Sequence, residues 1–191
     1  MTRRWYSGGT SSILGHANMY LYYRHGLLAM EATLSETFQP RLEAAIARLQ
    51  ELCMLQPEPG ARTAPERDGS EQWEWGQVWA HLAEFPGYWN QELQKALDGA
   101  RQFGRTKADP DRIAALAAYQ TTDVATLCST CKSGLAETIR ILATCTADHS
   151  RLVSRHPTLG PMTMDHLVEE FLAGHVEEHI AQLEGLLSPQ K

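Results

Sequence analysis

The sequence predicts an all-α fold, a four-helix bundle carrying a three-histidine metal site, and two observations predict it. Apolar residues recur at the spacing of one helix face through four long stretches, while no stretch of useful length alternates as a strand does. His175 and His179 lie four residues apart on one such face and His81 lies on another. Facing helices of a bundle commonly supply metal ligands to its core in this way.

The first helix is expected from Ser35 to Leu55, where Phe38, Leu42, Ala45, Ile46, Leu49 and Leu52 share a face and Pro40 is tolerated in the first turn. Gln56 to Gly69, rich in Pro, Gly and charge, reads as a loop. A second helix runs from near Trp73 to Leu97, with Pro86-Gly87 expected to bend it one turn beyond His81, a candidate pocket feature. A polar connection from Gly99 to Asp111 leads to a third helical region, Arg112 to Val153, broken near Thr121-Thr122-Asp123, where Asp or Thr caps a new start. Val124, Leu127, Cys131, Leu135, Ile139, Leu142 and Cys145 form its inward side. The segment His156 to Pro161 ends that region, and Thr163 with Asp165 suits the start of a fourth helix.

At 191 residues the chain reads as one ordinary domain, long enough to bury about two thirds of its unfolded surface without a metal staple. A net charge of −6 and the lack of a Lys/Arg cluster exclude nucleic acid and anionic membrane as main partners. No stretch is long enough to span a bilayer. Four cysteines are sparse for a disulfide framework, so a cytoplasmic location is expected. Cys128 and Cys131 form a C-x-x-C, but with no neighbouring βαβ pattern they read as packing residues of a helix. Residues 1–30 differ from the rest. Their apolar run is broken by His16, Asn18, Arg24 and His25, so they make no signal peptide, and they are left as an unassigned, dispensable extension to a bundle domain of residues 31–191.

At about 100° per residue, Met164, Val168, Phe171, Leu172, His175, His179, Gln182, Leu183 and Leu186 fall on one stripe, which turns both imidazoles inward. Imidazole is costly to bury without a partner, and a tetrahedral ion needs a third donor, which His81 offers. Two other readings stand beside this one. The histidines could be satisfied core residues, or His175-Val176-Glu177-Glu178-His179 could be the inverted zinc-peptidase pattern H-x-x-E-H, although that pattern needs a downstream carboxylate and only a short tail follows.

The order Trp73, Gln77-Val78-Trp79-Ala80-His81-Leu82-Ala83, a long helix, then His156-Pro157-Thr158-Leu159-Gly160-Pro161-Met162-Thr163 and His175-x-x-x-His179 resembles the DinB/YfiT-like metalloprotein superfamily over residues 35–187. Glu74 stands where relatives often have a Ser or Thr cap, and residues 1–30 have no counterpart. The resemblance implies that His81, His175 and His179 hold a divalent ion, zinc or nickel, or iron in some relatives. It also implies a transferase that uses a low-molecular-weight thiol (bacillithiol, mycothiol or glutathione) on a small electrophilic substrate, and a homodimer. Metal-dependent hydrolysis and a non-catalytic stress or regulatory module are the alternatives. In the favoured reading the metal takes the thiol as thiolate, the attacking species.

Helix geometry places further candidates near the trio. Glu84 lies one turn from His81, Glu178 at the edge of the His175/His179 face, and Gln182 and Tyr88 a turn further on. Glu84 and Glu178 are the candidates for orienting an imidazole or moving a proton, with solvated surface carboxylates as the plainer reading. Trp75, Trp79, Phe85 and Trp89 line either a substrate pocket or the core, and His149, His156 and His166 are placed outside the site.

Overall fold

Thr33 starts the first helix, α1 (Leu34–Leu52), through a reciprocal cap. Its Oγ1 accepts from the Glu36 amide at 3.2 Å, and its own amide donates to the Glu36 carboxylate at 2.8 Å. The computed structural model describes residues 32–65, 72–117 and 120–188, of which 32 onward form one unit. The expectations for residues 1–30 lie outside the described residues. Leu34, Phe38, Leu42, Ala45, Leu49 and Leu52 bury the inward face of α1, as their spacing predicts.

The second helix, α2 (Trp75–Leu97), begins on Glu74 without a Ser or Thr. The Gln77 side chain accepts from the Glu74 amide at 2.9 Å, while the Glu74 carboxylate pairs with Arg62. The helix continues through Pro86-Gly87, which the sequence marked as a bend. Opposite Pro86 lies Gly134. A Cβ there would stand 2.7 Å from the proline Cβ, so the glycine permits the close crossing of α2 and the helix Val124–Ala143. Asn90 reinforces the crossing by donating to the Gly134 carbonyl at 2.8 Å and accepting from Thr138 at 2.7 Å.

The expected break in the third region separates a short helix, α3 (Pro110–Ala117), from α4 (Val124–Ala143). Asp109 caps α3 by accepting from the Asp111 and Arg112 amides, and Asp123 caps α4 by accepting from Thr126 at 2.9 Å. The helix α4 stops at Ala143, ten residues before the expected Val153, and a 3-10 turn (Ala147–Arg151) follows. Beyond it the chain forms a hairpin that the sequence pattern did not reveal. Strands β1 (Val153–His156) and β2 (Gly160–Thr163) pair antiparallel, with Gly160 at φ +83°. At four residues each, the strands are too short for alternation to show against the background.

The fourth long helix has three parts: α5 (Met164–Val168), a π-helical turn (Glu169–Ala173) and α6 (Gly174–Leu187). The π turn corrects the inward stripe drawn at a uniform 100° per residue. Ala173, Val176 and Ile180, absent from that stripe, are buried, whereas Phe171 and His175 sit half-buried at its edge. One extra residue in the turn delays every later side chain. The core lies where α2 packs on α4, α1 on α4, and both α1 and α2 on α6. Trp79 and Phe85 are fully buried in it and Trp89 nearly so, while Trp75 is half-buried. Cys128 and Cys131 are buried on α4, where desolvation pushes the Cys128 thiol up to about 12 and the Cys131 thiol higher. Among the described residues no helix is long and apolar enough to cross a membrane.

Candidate metal centre

His81 on α2 and His175 and His179 on α6 come together where the two helices face. The Nε2 of His175 lies 2.9 Å from that of His81 and 3.1 Å from that of His179, and all three donor atoms fall within 4.8 Å of one another. A tetrahedral shell with zinc–nitrogen bonds of about 2.0–2.1 Å sets its donors about 3.3 Å apart, so the edges at 2.9 and 3.1 Å fall a few tenths of an ångström short of that spacing. These are the three histidines the sequence marked, and among the described residues they are the group able to hold a metal ion.

The protonation states suit a cation. Burial, then the neighbouring imidazoles, then the guanidiniums of Arg112 and Arg105, hold His81 well below its ordinary value; burial, His179 and Arg112 do the same to His175. Both rings are therefore neutral near pH 7, the form that ligates. His179 Nδ1 donates to Gln182 Oε1 at 2.8 Å, which leaves the Nε2 lone pair for the cluster. His81 Nδ1 is buried without a hydrogen-bond partner, so beyond the Nε2 contact with His175 it is packing that orients that ring.

Aromatic rings supply that packing. Trp73 stacks on His179 with centroids 5.7 Å apart and planes 9° from parallel, and its edge contact to His81 is 5.1 Å. Phe85 stands 4.9 Å from His175 and 5.6 Å from His81. One turn further along both helices, Trp89 stacks on Phe171 at 3.9 Å. Of the aromatic residues of α2, Phe85 is thus core and a wall of the cluster at once. Trp73, which the sequence placed at the head of the motif and at the start of a helix, touches two histidines of the cluster, stacked on one and edge-on to the other; its local pattern does not signal those contacts.

The carboxylates are placed differently from one another. Glu84 is mostly buried, and Arg105 Nη2 donates to both of its oxygens, at 2.5 and 2.6 Å. Arg105 also lies over the Tyr88 ring at 3.8 Å and 3.5 Å from Asp109. Desolvation raises the Tyr88 phenol to about 12. Arg105 reaches this position because its loop is pinned on both sides. The Phe103 amide donates to the Arg155 carbonyl of β1, the Gly104 amide donates to buried Glu92 at 2.6 Å, and a Cβ on Gly104, at φ +86°, would collide with His156. Arg105 has no sequence signal, since it lies in a loop with no periodicity. Glu178 is exposed on α6.

The three other described histidines lie apart from the cluster. His149 Nδ1 accepts from the Thr146 amide, His166 is exposed, and buried His156 accepts from the amides of the hairpin turn.

No protein-family model and no curated protein matches the chain. Among solved structures it is similar to YfiT from Bacillus subtilis, described as a probable metal-dependent hydrolase with an unusual four-helix bundle topology. The TM-score is 0.62 and the identity 21%, over 77% of this chain and 82% of that one. This likeness shows the fold. The chain has the DinB/YfiT-like four-helix bundle that its motifs resemble.

Proposed function

We propose that the chain is a metal-dependent enzyme acting on a small molecule, that His81, His175 and His179 hold its one divalent ion, and that its reaction is hydrolysis. The observation that carries the metal reading is the convergence of three neutral imidazole nitrogens from two facing helices. Zinc or nickel suits an imidazole set, and three protein donors leave a coordination position open. Held by these residues, zinc would lower the pKa of a water to about 7 or would accept a thiolate. Hydrolysis is preferred to the thiol transfer expected from sequence because the protein of similar fold is described as a metal-dependent hydrolase.

The chain's own residues have separate parts in this reading. Gln182 fixes the His179 tautomer, and Trp73 and Phe85 shield the rings from water. Glu84 is assigned as the proton acceptor, its carboxylate oriented by Arg105, with exposed Glu178 as the alternative.

Calorimetric zinc titration of the parent and of His81→Ala, His175→Ala and His179→Ala tests the centre. The parent should take up one ion per chain, and each variant should bind more than about 100-fold more weakly, beyond the range typical of groups that only support a ligand. If His81→Ala binds as tightly as the parent, the third ligand is not His81 and the centre as described is wrong. Loaded protein is then assayed with esters and amides, and with glutathione plus monochlorobimane. Turnover only with the thiol moves the reaction to group transfer. Turnover with neither makes the centre a binding module. Loss of hydrolysis in Glu84→Gln but not Glu178→Gln supports the assignment of the acceptor.

A further inference from the structure

The π turn Glu169–Ala173 stands between α5 and the two metal-binding histidines of α6, and a single side chain from α1 grips both of its flanks. Arg41 Nη1 and Nη2 donate to the Glu169 carboxylate at 2.5 and 2.9 Å, while Nε and Nη2 donate to the Glu177 carboxylate at 2.8 and 2.7 Å. A guanidinium is the one side chain whose fixed fork can hold two carboxylates side by side in this way. The same guanidinium lies 5.6 Å from the Phe38 ring, which steadies it on α1.

This grip depends on helix phase. Glu169 and Glu177 are eight positions apart, and in an unbroken α-helix they would differ by about 800°, or about 80° beyond two full turns. A π turn contains one residue more than an α turn. That residue removes about 100°, leaving the two carboxylates about 20° short of two turns and therefore on one face, toward α1. His175 and His179 take the same lag relative to α5.

Gly174 supports the arrangement independently. Its amide donates to the Glu169 carbonyl, the bond that closes the π turn, and a Cβ at this position would lie 2.7 Å from that oxygen and 2.7 Å from Glu169 Oε1. Glycine is the residue that lets the turn fold back onto Glu169 while Glu169 faces Arg41.

We propose that Arg41 is a positioning residue for the metal centre: its clamp on Glu169 and Glu177 holds the π turn that brings His175 and His179 against His81. Were the turn to relax into a regular helix, His175 would rotate by about 100° from the position in which its Nε2 meets that of His81. The inference rests on the metal-centre reading for its consequence, though the clamp itself is a property of the chain without metal.

The test is made on the full chain with Arg41→Ala and, should that variant fold poorly, with Glu169→Gln at the other end of the clamp. Amide hydrogen exchange of the metal-free proteins should speed up at least about 10-fold across Glu169–Gly174 relative to α4 amides, a local opening distinct from global unfolding. Zinc affinity by calorimetry should fall by about 10–100-fold, the range seen when groups supporting a ligand are removed. Unchanged exchange across the turn overturns the inference whether or not zinc binding weakens, because the clamp then does not hold the turn. Faster exchange with zinc affinity within twofold of the parent overturns its link to the centre. A parent protein that binds no zinc sinks the metal-centre reading separately, and the exchange comparison still decides the clamp.

Discussion

Replacing Gly174 by Ala puts two effects in direct opposition. At an open helical site the exchange stabilises by about 1 kcal/mol, since glycine is a poor helix former. At Gly174 the new methyl would lie 2.7 Å from a backbone carbonyl oxygen and 2.7 Å from a carboxylate oxygen held by Arg41. The backbone oxygen belongs to the π turn and has no freedom to retreat without breaking its own hydrogen bond. Overpacking of this kind costs about 1–3 kcal/mol, so the net effect is a destabilisation of about 1 kcal/mol. For a chain of this length that lowers Tm by about 2–4 °C. Gly185, on the exposed side of α6, is the internal control. Nothing lies within 4 Å of its missing Cβ, and Gly185→Ala should raise Tm by a similar amount. Thermal unfolding of both variants in metal-free buffer reads the contrast. If Gly174→Ala stabilises as Gly185→Ala does, the segment is an ordinary α-helix and the phase argument fails with it.

Three further outcomes follow from named contacts. Gln182→Ala, which deprives His179 Nδ1 of its acceptor, should weaken zinc binding by about 10–100-fold with little change in helix content by circular dichroism. The double variant Cys128→Ser with Cys131→Ser should keep its zinc stoichiometry, because both residues lie on α4, which carries none of the three histidines; its Tm should drop, since a buried hydroxyl left unsatisfied costs about 1–3 kcal/mol. Asp123→Ala should lower Tm at neutral pH through loss of the α4 cap. Hydrogen bonds from the Thr126 amide and hydroxyl hold the Asp123 carboxyl below its ordinary value, so the stability it adds is present above the unfolded value of about 3.9 and lost as pH falls through the folded one. The Tm gap between parent and variant should therefore narrow below about pH 4, and a gap that widens in acid would refute the assignment.

Much of the architecture was legible because it is written in short-range spacing. The buried positions of α1 and α4 follow a period that any local window reveals, and Asp123 stands one residue before the apolar run it caps. The histidine pair was legible for the same reason, since two residues four apart on a helix share a face whatever surrounds them. The third member of the cluster was legible because His81 interrupts an otherwise apolar run of α2, where an imidazole needs a partner. The hairpin escaped because its strands are too short to alternate visibly, and α4 was drawn too long into the 3-10 turn before it.

By itself the sequence determined the four helical regions, the cap at Asp123, and which three imidazoles were candidates to share an ion. Only the tertiary structure decided how those imidazoles are aimed. The π turn that sets their phase is matched to an arginine 128 positions earlier in the chain. Glu84 read from sequence as a candidate near the trio or a solvated surface carboxylate, and only the fold delivered Arg105 to it from a loop 21 residues away; Trp73 became a stacking partner only once α2 and α6 were face to face. Local periodicity is imposed by backbone geometry over a few residues and survives in any window of sequence. Pairings between side chains on different elements depend on how those elements pack, and no short-range pattern records them.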